Sequence, residues 1–222
     1  MSAEFGVLVL ERQVLLGEAL RLAISVHDHP VVTLDTPLGP APHTAYLNAL
    51  RALAPRIVLV DLEPIDAAAP ALVASLASAA PSVVVLTASE DPAWWGLCLH
   101  LGAHSVVTKS ERLSGMLATL DRVAAGRPTM GSARRERLLV LGGLAHAEDT
   151  ERRRRLALLS DRESAMLAHL MAGHHVAEIA RVEVVSPSTV RTQVRAVLAK
   201  LEVTSQLAAV ALAHRSHWRS AS

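Results

Sequence analysis

The sequence has little of several features that define whole classes of proteins. Its 222 residues include a single cysteine, Cys98, which excludes an internal disulfide framework and a zinc site built on paired thiolates. Aromatic residues make up 2% and charged residues 19% of the chain, which disfavours an aromatic-rich β-sandwich and a charged disordered protein. The 51% of hydrophobic residues is enough for one large core or two modest ones.

Neither a membrane span nor a signal peptide is predicted. The long uncharged run over residues 67–89 is divided by Pro70 and Pro81 into a helix-sized and a strand-sized piece. Near the N-terminus, Glu4 precedes a short apolar stretch and Glu11 follows it, so the basic region and the small-residue cleavage site of a signal peptide are missing. We therefore expect a cytoplasmic protein that has no membrane partner.

Charge is distributed unevenly along the chain. The net charge is −5 up to Ala125 and +6 after it, although the whole chain carries only +1. An acidic part joined to a basic part suggests a regulatory or catalytic domain tethered to a domain that meets a polyanion such as nucleic acid. The alternative is that the arginine run at 152–155 is a solvated segment that contributes most of the positive charge.

The first 125 residues alternate between strand and helix patterns. Runs of Val, Ile and Leu without polar alternation are typical of strands covered on both faces, and they occur at 6–10, 31–34, 56–61, 82–87 and 104–108. Helical spacing of apolar residues lies between them, at 16–24, 43–54, 68–79, 91–101 and 111–125. This order predicts an α/β domain with a doubly wound, five-stranded parallel sheet.

Polar residues stand where the predicted strands end. They are Glu11, Asp61, Thr87 and Lys109. The reactive crevice of an open parallel sheet lies outside the carboxyl ends of its strands, so we expect these side chains to face the same crevice. Only 2 of the 22 basic residues are lysines, which draws attention to Lys109. No glycine-rich phosphate loop follows any strand, and this disfavours nucleotide binding.

Residues 156–222 lack strand patterns and predict an all-α domain of four short helices. Ser160 begins the first helix, and Glu163 completes a capping box with it. Ser186, followed by a proline, begins the third helix, and Ser205 begins the fourth. The predicted organisation is therefore a domain over 1–125, a linker with a helix over 126–155, and a helical domain over 156–222.

Within that linker, residues 132–145 have a helix-compatible pattern. The stretch 146–155 is charged and poor in large apolar residues, so we interpret it as the connecting segment itself.

These motifs resemble response regulators of the NarL/FixJ type, in which a CheY-like receiver precedes a LuxR-type helix-turn-helix. The C-terminal segments that match the family at its spacing are LSDRE at 159–163, EIA at 178–180, SPSTVR at 186–191, KL at 200–201 and AVALA at 209–213. In the front part, Asp61, the Thr87-Ala88 pair and Lys109 match in order. The resemblance implies a bacterial transcription regulator of a two-component system, not an enzyme, that binds double-stranded DNA as a homodimer and takes its input from a sensor kinase or a small-molecule ligand.

The resemblance also implies which residues contact DNA. The third helix would lie in the major groove, where Arg can read guanine and Gln can read adenine. The residues that would face bases are Arg191, Thr192, Gln193 and Arg195, those near phosphates are Ser186, Ser188, Thr189 and Lys200, and those in the dimer seam are Leu207, Val210 and Ala211. The alternative for Arg191 and Arg195 is an ordinary solvated helix face.

The helix-turn-helix departs from the family at two places. Glu183-Val184 stands where the family usually has Leu-Gly, so a β-branched residue replaces a glycine that can take positive φ. We therefore expect the turn to use another conformation. Gln193 replaces a histidine of the family, which is expected to change sequence preference without abolishing binding.

The receiver-like part departs more seriously. Family members hold Mg²⁺ with the third-strand aspartate and an acidic pair after the first strand, and here that pair is Glu11-Arg12. Arg12 would repel Mg²⁺ and could pair with Asp61, and Glu63 is a weaker candidate for restoring an acidic ligand. Val106 stands in place of the family's switch aromatic.

We therefore expect an atypical receiver that uses no Mg²⁺ cofactor. In this receiver the phospho-acceptor candidate Asp61 is not routinely phosphorylated. The alternative role of Asp61 is that of a strand-end carboxylate kept for packing or for a salt bridge. The alternative role of Lys109 is to form an ion pair without taking part in phosphate chemistry.

Other candidate sites are weaker. His169, His174 and His175 lack a cysteine or a clustered carboxylate to complete a metal site, so surface or packing roles are favoured. Trp94 and Trp95 could serve a partner or an apolar ligand, or could pack in the core. Two functional alternatives follow: a regulator controlled by a ligand or a protein, and an interaction protein whose helix-turn-helix no longer binds DNA. A phosphotransfer or hydrolase enzyme using Asp61 is disfavoured by the missing metal acid.

Overall fold

The computed structural model describes residues 6–27, 30–35, 43–63, 65–66, 68–216 and 218. The chain divides into two compact units, Met1–Ala145 (unit 1) and His146–Ser222 (unit 2). Unit 1 is α/β and unit 2 is built of helices, which confirms the predicted fold class. The boundary between the units falls within the segment that the sequence analysis interpreted as a linker.

Unit 1 contains the predicted five-stranded parallel sheet, with strand order β2-β1-β3-β4-β5. Its elements are β1 (Val7–Glu11), α1 (Val14–Ser25), β2 (Val31–Asp35), α2 (His43–Leu53), β3 (Ile57–Asp61), α3 (Ala69–Ala79), β4 (Val83–Thr87), α4 (Pro92–His100), β5 (Ser105–Thr108) and α5 (Leu113–Ala124). No helix within the described ranges is both long enough and apolar enough to cross a bilayer.

Alternate residues of the strands enter two separate cores. Leu8 and Val58 pack in the core that contains side chains of α2, α3 and α4. Val9 and Leu59 pack in the core that contains side chains of α1 and α5. Because β1, β3 and β4 are buried along their whole length, polar side chains are accommodated only where the strands end.

The helix that follows the α/β pattern is longer than predicted: α6 runs without a break from Ser132 to Ala157. The predicted end of this helix at residue 145 was therefore wrong, because the connecting segment 146–155 is itself helical. Acidic residues one turn earlier pair with the arginine run at i,i+3 and i,i+4, as in Arg153 with Asp149 at 2.6 Å and Arg155 with Glu151 at 2.8 Å. Such pairs stabilise the stretch 145–155 of the helix, which has no large apolar residues.

The first half of α6 packs against α4 through two glycines. A Cβ atom at Gly96 would overlap the carbonyl oxygen of Leu138, and one at Gly142 would overlap the backbone of Gly96. The contact is therefore backbone against backbone. Arg135 strengthens it nearby, because its guanidinium donates a hydrogen bond to the carbonyl oxygen of His104 at 3.0 Å.

Unit 2 contains the four predicted helices, α7 (Asp161–Met171), α8 (Val176–Val182), α9 (Pro187–Lys200) and α10 (Gln206–Arg215). Ser160 and Glu163 form the capping box of α7, while Ser186 and Ser205 accept backbone hydrogen bonds at the starts of α9 and α10. Each of the four contributes buried apolar side chains to one core. This core fixes which face of α9 is turned outward.

We expect Gly142→Ala to destabilise unit 1, because the added methyl group has no space against the backbone of α4. Overpacking of this kind costs roughly 1–3 kcal/mol. Gly143→Ala is the matched control, since its Cβ meets only the His100 ring at an ordinary 3.8 Å and alanine favours a helix. Urea unfolding of both variants provides the measurement, and equal stability of the two would contradict the close contact.

Candidate functional site

The ends of four neighbouring strands bring the predicted polar residues together. Glu11 ends β1, Asp61 ends β3, Thr87 ends β4, and Lys109 directly follows β5. Glu11, Asp61 and Thr87 are buried. We call this group the strand-end pocket.

Asp61 is neutralised inside the strand-end pocket. Its Oδ2 atom lies 2.5 Å from the Nζ atom of Lys109, and its Oδ1 atom accepts the backbone N–H of Glu63 at 3.1 Å. The backbone N–H of Lys109 in turn donates to the carbonyl oxygen of Thr87 at 2.8 Å. Both carboxylate oxygens of Asp61 therefore have partners, and the Lys109 side chain forms an ion pair.

Glu63 has a role that the sequence analysis missed. Its Oε1 atom accepts a hydrogen bond from the Thr87 hydroxyl at 2.8 Å and another from the backbone N–H of Ala88, also at 2.8 Å. The contact depends on the strand order: β3 and β4 are neighbours in the sheet, so a residue two positions beyond the end of β3 can reach the end of β4. The Glu63 carboxylate thus occupies two hydrogen-bond donors beside Asp61.

Glu11 is a buried acid with an incomplete set of partners. Its Oε1 atom accepts the backbone N–H groups of Arg12 at 2.8 Å and Gln13 at 2.9 Å, while its Oε2 atom is buried without a donor. Burial and then the neighbouring Asp61 carboxyl raise the pKa of Glu11 to about 7, because both disfavour a second negative charge in the pocket. Arg12 itself is exposed.

Among the described residues, no three His, Cys, Asp or Glu side chains are placed to hold a metal ion. In the strand-end pocket, Asp61 is engaged by Lys109 and Glu63 is engaged by Thr87 and Ala88. Mg²⁺ is usually held by carboxylates together with several waters, and a lysine ammonium on the central carboxylate competes with it.

A cavity of about 170 Å³ lies beside Val106, the residue in the position of the family's switch aromatic. Trp95 and Arg134 also line it, and the Arg134 guanidinium lies 5.8 Å from the centre of the Trp95 ring. The Trp95 indole N–H donates to the carbonyl oxygen of Ser89 at 2.7 Å. Trp94 packs in the core of α2–α4, so the two tryptophans do not form an exposed aromatic pair.

On α9, the apolar and polar residues fall on different faces. Val190, Val194 and Val197 are buried in the core of unit 2, whereas Arg191 and Arg195 are exposed. Thr192 is also exposed, and Gln193 is half-buried. The arginine pair is therefore presented to the outside of unit 2, on the helix where the sequence analysis placed base contacts.

Three hydroxyl groups cluster at the start of α9. The Oγ atom of Ser186 lies 2.7 Å from that of Ser188 and 2.8 Å from the Oγ1 atom of Thr189. Lys200, at the other end of α9, donates to Glu163 at 2.6 Å and to the carbonyl oxygen of Leu158 at 3.0 Å. The hydroxyl cluster is exposed, whereas the Lys200 ammonium is held by its own unit.

The turn between α8 and α9 corrects one expectation. Val184 has φ of +54°, so the turn keeps the left-handed conformation despite the β-branched residue, and the prediction of another conformation was wrong. The left-handed region costs a residue with a Cβ roughly 1–2 kcal/mol. The helix-turn-helix geometry is thus retained under strain.

The residues predicted for the dimer seam lie on α10. Leu207 is 79% exposed, and Val210 and Ala211 are half-buried. An exposed leucine beside two partly exposed apolar residues is a face that a second helix could cover.

Comparison with known proteins gives matches over both parts of the chain. Residues 157–213 match the family described as bacterial regulatory proteins, luxR family. The probable transcriptional regulatory protein NarL of Mycobacterium tuberculosis is 32% identical over 175 residues, which cover 77% of this chain and 77% of that protein. The match to this relative extends well beyond the luxR-family segment.

Two solved structures have a similar fold. One is the complex of the two-component response regulator RcsB with DNA, with 22% identity, a TM-score of 0.50, and coverage of 95% of this chain and 98% of that one. The other is RcsB of Salmonella typhimurium, with 22% identity, a TM-score of 0.50, and coverage of 94% and 98%.

The buried acid of the strand-end pocket makes stability depend on pH. Because the pKa of Glu11 is raised from 4.5 to about 7 on folding, the folded protein keeps a proton that the unfolded chain loses, and stability falls as pH rises through this window. Glu11→Gln keeps an acceptor for Arg12 and Gln13 but cannot ionise. As the pH rises through this window, we expect the free energy of unfolding to fall by on the order of 1–3 kcal/mol less in Glu11→Gln than in the wild type.

Urea unfolding of both proteins at several pH values provides the measurement. Glu18→Gln, a change at an exposed acid of α1, is the control and should follow the wild type. Parallel pH dependences for the wild type and Glu11→Gln would contradict the prediction.

Proposed function

The chain belongs to the NarL/FixJ family of response regulators, which are DNA-binding transcription regulators, and we propose that it reads DNA through α9. Arg191, Thr192, Gln193 and Arg195 would face the bases. Ser186, Ser188 and Thr189 would contact phosphates at the start of the helix, and Lys200 would do so after exchanging its internal partners.

The exposed arginine pair supports this proposal most directly. Arg191 and Arg195 lie one helical turn apart on an exposed face of α9, away from its buried valines. An α-helix fits the major groove, and a guanidinium can make two hydrogen bonds to guanine. The retained turn at Val184 favours DNA binding over the alternative of an interaction protein with a lost helix-turn-helix.

We also propose that two copies bind together. Leu207, Val210 and Ala211 would form the seam between two α10 helices, supported by the exposure of Leu207. A two-fold dimer presents two recognition helices to paired half-sites, which matches the symmetry of many operators.

The third part of the proposal concerns the receiver. We infer that ordinary Mg²⁺-dependent phosphorylation of Asp61 does not control it. The observations that carry this inference are that Glu63 occupies the Thr87 hydroxyl and the Ala88 N–H beside Asp61, and that Arg12 stands where the family has an acidic ligand for Mg²⁺. A phosphoryl group on Asp61 would need cations and donors of this kind, because phosphoryl transfer depends on positioning and charge neutralisation.

A ligand-controlled receiver is the second candidate for the input. The cavity beside Val106, lined also by Trp95 and Arg134, supports it. Thermal stabilisation by a small molecule in the absence of a phosphodonor would distinguish this input from phosphorylation.

We expect no acyl phosphate on Asp61 after the purified protein is incubated with acetyl phosphate and Mg²⁺. Intact-mass spectrometry before and after hydroxylamine treatment provides the measurement. The double variant Arg12→Asp/Glu63→Ala should gain a hydroxylamine-sensitive phosphate, because it restores an acidic residue and frees the two donors. Asp61→Asn in that background is the site control, and stoichiometric labelling of the wild type would overturn the proposal.

Arg191→Ala and Arg195→Ala should each reduce discrimination between the selected DNA site and a random duplex by about 1–3 kcal/mol, the value of a bidentate base contact. The site is first obtained by selection from a random duplex library, and fluorescence anisotropy then gives both affinities. Arg162→Ala on α7, which removes another exposed arginine of unit 2, should leave the ratio unchanged. Unchanged discrimination in both α9 variants would count against the groove assignment.

A further inference from the structure

The strain at Val184 has no compensation from its own side chain. The residue is 88% exposed, so its isopropyl group gains almost nothing from burial, while its φ of +54° is unfavourable for a β-branched residue. A conformation of this kind persists only when neighbouring groups determine it. The restraint must therefore come from the residues on either side.

The backbone on both sides of Val184 closes the end of α8. The N–H of Glu183 donates to the carbonyl oxygen of Ile179 at 2.9 Å, and the N–H of Val185 donates to that of Ala180 at 3.0 Å. The second bond spans a left-handed residue, as at helix ends that usually carry glycine. Keeping this bond forces the left-handed conformation on Val184.

A chain of three side chains holds Glu183 in place. Its Oε1 atom lies 2.9 Å from the Nε2 atom of His169 on α7, and the Nδ1 atom of His169 lies 2.9 Å from that of His174. The His169 side chain is only 17% exposed. Gly173, with φ of +78°, allows the chain to turn so that His174 meets His169.

The proton positions in this chain follow from which atoms can donate. The carboxylate of Glu183 only accepts, so the Nε2 atom of His169 carries the hydrogen. In the neutral imidazole its Nδ1 atom then accepts, and the Nδ1–H of His174 is the donor. Glu183 thus fixes the tautomer of His169, and each of these contacts has one donor and one acceptor.

We propose that His169 and Glu183, supported by His174, are positioning residues that keep Val184 left-handed and so set the start of α9 for DNA. The inference rests on the proposed reading of DNA by α9. It joins the two departures from the family's Leu-Gly turn: the glycine is lost at 184, and the carboxylate at 183 provides the restraint that the new residue requires. Ser186, the N-cap of α9, lies only two residues beyond Val184.

The test is a rescue experiment in the full-length protein. His169→Leu removes both ring nitrogens and retains apolar bulk, so we expect DNA affinity to fall about three- to tenfold, the loss of roughly one hydrogen bond. Val184→Gly removes the strain. In that background, His169→Leu should change affinity by less than about twofold, because a glycine needs no restraint to stay left-handed.

Two further variants exclude a general loss of folding. His169→Gln retains an N–H that can reach Glu183, and it should keep more affinity than His169→Leu. His175→Ala, at the neighbouring histidine that makes no side-chain capping bond to α8, should bind DNA like the wild type. An equal loss from His169→Leu in the wild-type chain and in the Val184→Gly variant would overturn the proposal.

A second readout does not depend on DNA. The one-bond Cα–Hα coupling of Val184, measured by NMR, separates positive from negative φ, and we expect the positive-φ value to be lost in His169→Leu. If no variant binds DNA but this coupling changes, the positioning role of His169 and Glu183 stands and the assignment of α9 to DNA fails. If the coupling is unchanged in His169→Leu, the positioning role itself is refuted.

Discussion

The buried carboxylate of Asp61 must be neutralised, and the ion pair with Lys109 that does so determines the arrangement around it. The Asp61 side chain is 1% exposed, and leaving such a charge unpaired costs several kcal/mol. Lys109 reaches Asp61 from the end of β5, while its backbone is held by the end of β4. Glu63 then takes the donors that remain at the end of β4, so the chain provides both the cation and the anion of its own pocket.

In each unit, near the place where the sequence departs from its family, a carboxylate just beyond the end of an element forms hydrogen bonds. In unit 1, Glu63 lies two residues beyond a strand and accepts hydrogen bonds from the neighbouring strand end. In unit 2, Glu183 follows directly after a helix and contacts a histidine of the preceding helix. In both cases a carboxylate just beyond the end of one element forms hydrogen bonds to residues of another element.

Features set by local pattern could be predicted from the sequence. Uninterrupted β-branched runs predicted the buried parallel sheet, and serine caps such as Ser160 and Ser186 predicted the helix starts of unit 2. The predicted strand-end residues also came together, because parallel strands end at one edge. The acceptor role of Glu63 and the left-handed Val184 could not be predicted in this way. Both depend on partners brought close by the fold, 24 positions along the chain in the case of Thr87.

The contact between Gly96 and Gly142 affects how the protein can be divided. A fragment ending at residue 125, where the α/β pattern stops, would remove the first half of α6 and open a flat backbone surface of α4 to water. Arg135 would be lost with it, leaving the carbonyl oxygen of His104 without that donor. An isolated α/β fragment therefore needs to retain α6 at least through Gly142, even though this part of the helix lies beyond the last strand and helix of the repeating pattern.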